Sequence, residues 1–288
     1  MRGLACAESL DKSTGFRYIL RVNSASGPSS ASRLLREWAS RGRYHFSTGE
    51  LAEELGVSLT AARSAVRRLK AKDLVASPQR GFHVVLPPEH ERLGCLPAEQ
   101  FVPQLMKRLE VPYYAGLLTA ARYHGAAHQQ PQVFQVVVPK NRPPIHCGLV
   151  QVSFVARHNT ADMPTGTVNT PRGLLTLSSP ETTAYDLVGY PEHCGGLDNV
   201  ATVLTELGER LDAERLAGIA AQSPMPWSQR LGYILDVVGH APRAGRLAAV
   251  VAHRATETTP LVPGLETASA RRDDRWKLWV NTDLEPDL

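Results

Sequence analysis

Cysteine is scarce in this sequence. Cys6, Cys95, Cys147 and Cys194 are scattered over 288 positions without CxxC spacing. That argues against a disulfide scaffold or a zinc ribbon and reads as the reduced thiols of a cytoplasmic chain. Long apolar runs are missing too, since no stretch approaches the roughly 18–20 residues of a membrane span. Near the start, FRYILRV is short and interrupted by arginine, so no secretory signal is expected. Catalytic signatures are equally sparse: there is no Walker loop, no GxGxxG after a strand and no GxSxG nucleophile elbow. No cofactor and no enzyme activity are expected.

What is present is ordinary globular material, 43% hydrophobic and 21% charged, long enough for two or three domains. The net charge of +4 is unevenly spread. Residues 29–92 hold eleven Lys/Arg against seven Asp/Glu, while residues 93–288 hold seventeen against nineteen, a net −2. The basic balance therefore belongs to the N-terminal third, and the remainder has no charge-driven reason to bind nucleic acid.

Within that third, GVSLTAARSAVRRLKAKDLV (56–75) carries five basic residues before its acid, Asp73. On a helix, Ala62, Val66 and Leu69 share a narrow core stripe. Thr60, Ser64, Arg67 and Ala71 face the other way, Arg63 and Arg68 lie on the flanks, and Lys70 falls nearer the buried edge. A helix shaped only for solubility mixes both signs; small residues ringed by arginines suit entry into a major groove. Upstream, Ser47 and Glu50 form a capping box with Phe46 and Leu51 as a staple. Gly56 can end that helix in the left-handed region, and Ser58 can cap the next, with Val57 and Ala62 as a second staple. Two capped helices joined by a short Gly-containing turn make a helix-turn-helix.

VASPQRGFHVVL then reads as a hairpin, with Phe82, Val84 and Leu86 alternating against His83 and Val85 and with Arg80 at the tip. SRLLREWASRG supplies a first helix through Leu34, Leu35 and Trp38. These parts describe a winged helix-turn-helix, against the plainer alternative of a three-helix structural domain with an incidentally basic helix. The expected DNA-binding residues are Ser58, Thr60, Ala61, Arg63, Ser64, Arg67, Arg68 and Arg80. One such unit covers a half-site, so a dimer on inverted repeats is expected.

The expected organisation is a flexible tail at 1–28, the winged helix at 29–88, a linker at 89–96 and a C-terminal region at 97–288. The fold class is α+β: an N-terminal winged helix-turn-helix followed by a mixed α/β and then helical C-terminal region. Helices are expected to about Glu110 and from about Tyr113 to Tyr123. PQVFQVVVP, GLVQVSFVAR and RGLLTLSS read as strands, SPETTAYDLVGY as a capped helix, 197–251 as helical and RWKLWVN as a closing strand.

Candidate chemistry in this region is weak. His124 and His128 stand at i,i+4, but Gly125 between them is more simply a helix end than part of a metal site. His146–Cys147 and His193–Cys194 are neighbours along the chain, which seldom converge on one ion. Glu181 fits a first-turn position that complements the helix dipole, and Asp186 has no evident role.

The ordered blocks YYAGLLTAARYHGAAHQQPQVFQVVV, LSSPETTAYDLV, GGLDNVATVLTEL, QRLGYILDVVG and WKLWVN resemble the AbiEi antitoxins of bacterial type IV toxin–antitoxin systems. With the winged helix the likeness covers most of residues 29–281. It implies a protein that represses its own operon by binding inverted repeats in double-stranded promoter DNA and that counters a nucleotidyltransferase-like toxin, with or without stable contact. It names no toxin-neutralising residues. LAEELGVSLTAARSAVRRLKAKDLV also resembles the winged helix of GntR-type regulators, which would imply a small-molecule effector domain, but the sequence departs from that family after the hairpin.

Overall fold

The structure is a computed structural model that describes residues 30–126 and 132–286. The expected tail, 1–28, and His128 lie outside the described residues.

Local sequence explains the N-terminal elements. Helix α1 (Ser30–Ser40) buries Leu35 and Trp38. A short strand, β1 (His45–Ser47), leads into α2 (Thr48–Leu55). Ser47 Oγ accepts from the Glu50 N–H at 3.1 Å and Glu50 Oε2 accepts from the Ser47 N–H at 2.6 Å, so the capping box is formed from both sides. Gly56 ends α2 at φ 61°, and Ser58 caps α3 (Leu59–Lys70) through the Ala61 N–H. Val57 remains 41% exposed, so it does not close a second staple over Ala62. The hairpin follows as β2 (Val75–Gln79) and β3 (Phe82–Val85), and the sheet order is β1-β3-β2, antiparallel throughout.

Strand β3 keeps the expected alternation of faces, but both faces are covered. Phe82, His83, Val84 and Val85 are all buried. Val85 joins the core of α1, α2 and α3. Phe82 and Val84 belong to a different core, shared with Phe101, Val102 and Met106 of α4 (Ala98–Leu109). The hairpin is thus covered on both sides, as strands inside layered folds are. The stretch expected to link the two regions contributes Cys95 and Leu96 to that same core.

The C-terminal body is built on a six-stranded mixed sheet. Its strands are β4 (Tyr114–Ala115), β5 (Val133–Val138), β6 (Ile145–Cys147), β7 (Val150–Ala156), β8 (Thr165–Thr170) and β9 (Gly173–Ser178), in the order β6-β7-β5-β4-β9-β8. The helix expected from Tyr113 is shorter: α5 spans Leu117–Tyr123, because Tyr114 and Ala115 pair with Val137 and Val136 of β5 and Ala115 also with Leu177 of β9. Two strands claim these residues, and tertiary pairing overrides the local pattern. The run Val136-Val137-Val138 is wholly buried because alternate residues serve opposite faces: Val136 and Val138 meet the α4 core and Val137 the helical core behind the sheet.

That helical layer consists of α6 (Pro180–Gly189), α7 (Leu197–Leu207), α8 (Ala213–Ile219), α9 (Met225–Val237) and α10 (Gly245–Arg254). Ser179 caps α6, with Pro180 in its first turn. The chain closes with β10 (Thr259–Pro260), β11 (Arg271–Asp273) and β12 (Leu278–Val280) in a three-stranded sheet with β12 central. Fully buried Trp276 anchors this sheet to α9, its indole N–H donating to Asp236 Oδ2 at 2.7 Å. Among the described residues no helix is long and apolar enough to cross a membrane.

Candidate nucleic-acid interface

The geometry of α3 follows from its buried stripe. Ala62, Ala65, Val66 and Leu69 face the core, which turns Thr60, Arg63 and Arg67 outward. All eight residues expected at the interface lie on one helix or at the hairpin tip. Ser58, Thr60, Ala61, Arg63, Arg67, Arg68 and Arg80 are exposed and Ser64 is half-buried. Lys70, placed nearer the buried edge from the helical wheel, is exposed as well. Gly81, at φ 75°, makes the sharp turn that leaves Arg80 at the tip.

Charge is partitioned cleanly here. Glu37 pairs with Arg41, and Glu50 with Arg43, so two of the local acids are matched by arginines outside α3. Arg63, Arg67, Arg68, Lys70 and Arg80 make no ion pair with any described acid. Ser58 alone is committed internally, as the cap of α3.

Two features escaped the sequence reading. The basic last turn of α4, Lys107 and Arg108, reaches the small sheet: Lys70 and Arg108 both act on His83, and Arg43 and Lys107 both act on His45. The signal was present in the letters MKRLE, but only the packing of α4 behind the hairpin brings it to this side. His83 is the second. Burial, with help from Lys70 and Arg108, lowers its pKa to about 4. Its ring nitrogens are met by Thr48 Oγ1 at 2.9 Å and Ser77 Oγ at 2.8 Å, so a neutral imidazole joins α2 to β2.

The remaining candidates resolve into structural roles. His124 follows the end of α5, and its Nε2 is 2.8 Å from the Ser178 carbonyl oxygen. Glu181 accepts from the Asp212 N–H at 3.0 Å, while its other oxygen is buried without a partner. Asp186 is the buried acceptor for Arg157 and Tyr114. Cys147 does not approach Cys194; its neighbour is Cys95. Among the described residues no three metal-ligating side chains cluster.

Residues 114–237 match the family model of the AbiEi antitoxin C-terminal domain. Over these residues the chain is similar to an AbiEi antitoxin domain. The match runs from β4 to the end of α9, so it takes in the six-stranded sheet and most of the helical layer. Of solved structures, the chain is similar to the RV2827C protein from Mycobacterium tuberculosis, with TM-score 0.61 and 20% identity over 86% of this chain and 90% of that one. That likeness concerns the fold alone, but it extends well beyond the AbiEi-like domain. An antigenic nucleotidyltransferase-like protein from Paracoccidioides brasiliensis aligns with half of the chain at TM-score 0.31 and 9% identity, which is too low to argue from. No curated protein matches.

Proposed function

We propose that the chain is a DNA-binding antitoxin of a type IV toxin–antitoxin system. Residues 30–86 act as a winged helix-turn-helix: α3 enters the major groove and the β2–β3 hairpin is the wing, with Arg80 on the phosphate backbone or in the minor groove. Two copies occupy an inverted repeat in the operon's own promoter and repress it. The body beyond residue 97 counters a nucleotidyltransferase-like toxin.

The observation that carries this reading is the combination, in one chain, of the AbiEi-like domain with an exposed helix whose cations have no acid partners. Five unmatched cations on and beside one helix oppose their own clustering, and a polyanion relieves that cost. Arg108 acts on His83 together with Lys70, and on this reading Lys107 and Arg108 carry the DNA path onto the start of the C-terminal body.

The test separates the two activities in the full chain. A fragment starting near Pro97 would uncover the apolar surface that Phe82 and Val84 occupy, so point substitution is the cleaner probe. Arg63→Ala with Arg67→Ala should abolish repression of a promoter reporter. The same variant should still rescue cells in which the neighbouring toxin is expressed from an unrelated promoter. Loss of rescue together with repression would merge the two roles. Failure of the folded wild-type chain to rescue would overturn the antitoxin reading in favour of an effector-gated regulator.

A further inference from the structure

Two glycines bring two distant pieces of chain into backbone contact. The Leu149 N–H donates to the Leu93 carbonyl at 2.8 Å. A Cβ on Gly148 would sit 2.2 Å from that carbonyl oxygen and 2.8 Å from the Gly94 Cα, and one on Gly94 would sit 3.1 Å from the Gly148 Cα. No larger residue fits this crossing at position 148. Each glycine has a cysteine beside it in sequence, Cys95 after Gly94 and Cys147 before Gly148. The two thiols lie within hydrogen-bonding reach of each other. Both belong to the core that joins the hairpin to the C-terminal body, Cys95 fully buried and Cys147 half-exposed at its edge. Cys147 also lies near Ser77 of β2 and near Lys70.

We infer that Cys95 and Cys147 form a reversible disulfide when the protein meets a peroxide, clamping the segment between β3 and α4 to the β6–β7 turn. The chemistry has a direction. The hydrogen bond from Cys95, aided by the Ser77 backbone and the charge of Lys70, pulls the Cys147 thiol down to about 7, while Cys95 is pushed up. Cys147 is therefore the attacking thiolate and, being half-exposed, the one a small oxidant reaches. Its sulfur displaces hydroxide from the peroxide: an S–O bond forms, the O–O bond breaks, and the departing hydroxide takes a proton to become water. Cys147 is then a sulfenic acid. Cys95 sulfur attacks it, the S–S bond forms as the S–O bond breaks, and the second hydroxide leaves as water with the proton of Cys95. Two thiols and one peroxide give one disulfide and two waters. A thiol reductant reverses the state by exchange.

The site is independent of the DNA and toxin readings, and its test is chemical. The full chain is treated with hydrogen peroxide, alkylated, and mapped by mass spectrometry without reduction. The expected product is a single cross-linked peptide pair holding Cys95 and Cys147, with free thiols falling from four to two and returning on addition of dithiothreitol. The thermal midpoint should rise by several degrees on oxidation. Cys147→Ser should remove the cross-link and the rise while leaving the reduced protein's circular dichroism intact. Cys6→Ser should keep both. Cys147 recovered as sulfinic or sulfonic acid with Cys95 free, or Cys147 joined to another cysteine or another chain, would overturn the assignment.

Discussion

Arg157 and Asp186 form an ion pair inside the C-terminal body, 2.5 Å apart at their nearest atoms and closed to solvent on both sides. Burial pushes the Asp186 carboxyl up and the Arg157 charge opposes it. The pair is completed by the Tyr114 hydroxyl, which donates to Asp186 Oδ2 at 2.9 Å. Asn159 and Ser223 accept the remaining guanidinium hydrogen bonds at 3.0 and 2.9 Å. Sheet, α6 and the turn before α9 are thereby fixed to one another at a single point within the AbiEi-like domain.

Removing one member leaves the other buried and uncompensated. Arg157→Met should cost about 3–5 kcal/mol, and pairing it with Asp186→Leu should recover much of that loss. Urea unfolding of the two single variants and the double variant measures both. A single-variant loss below about 1 kcal/mol would mean that solvent or another group replaces the partner.

Arg63 and Arg67 should read or grip DNA without supporting the fold, since both are exposed and unpaired. Each alanine substitution should weaken operator binding by about 1–3 kcal/mol if the arginine reaches a base, with the urea midpoint unchanged. An operator titration at fixed salt in which the double variant binds like wild type would remove the assignment of α3.

Lys107 and Arg108 should act at longer range. Replacing both with glutamine should flatten the dependence of log affinity on log salt by about one to two units, equally for operator and random DNA. A change in sequence preference with an unaltered salt slope would place them on bases instead.

His83 makes the fold sensitive to mild acid. Its pKa lies near 4 in the folded chain against 6.5 unperturbed. Between those values the unfolded chain binds a proton that the folded chain refuses, so stability falls as pH drops from about 6.5 toward 4 and this contribution levels off below. After solvent screening the loss should be on the order of 2 kcal/mol. Stability measured from pH 7 to pH 4 should show that slope in wild type and a smaller one in His83→Gln. Parallel curves would exclude the histidine as its source.

Gly232 should not tolerate a side chain, because a Cβ there would lie 2.0 Å from the Trp276 ring. Gly232→Ala should destabilise by at least about 2 kcal/mol and change the near-ultraviolet signal of the displaced indole. An unchanged urea midpoint would show that the closing sheet can shift away from α9.

Much of the local structure of residues 45–86 was legible from sequence because its causes are local. Ser47, Glu50, Gly56 and Ser58 set helix ends through bonds that span three or four residues, and the period of Ala62, Val66 and Leu69 dictates which cations of α3 face outward. The strand around Phe154 was equally readable from the alternation of Val150, Val152 and Phe154, and the one around Phe134 from the prolines that bound it. Tyr114 and Ala115 were not, because their strand exists only through partners on β5 and β9.

The sequence by itself determined the capped helices, the sign and placement of charge on α3, and the hairpin tip that carries Arg80. Each depends on backbone bonds or side-chain spacing within a few residues. Only the tertiary structure decided that His83 is a buried link, that Asp186 answers Arg157, that Arg108 acts on His83 together with Lys70, and that Cys95 meets Cys147. Apart from the approaches of Ser77 and Lys70 to His83, those contacts join positions about 25 to 50 residues apart. No periodicity within one segment encodes them; they arise when apolar faces such as Phe82–Val84 and Phe101–Met106 are buried together and carry their polar neighbours with them.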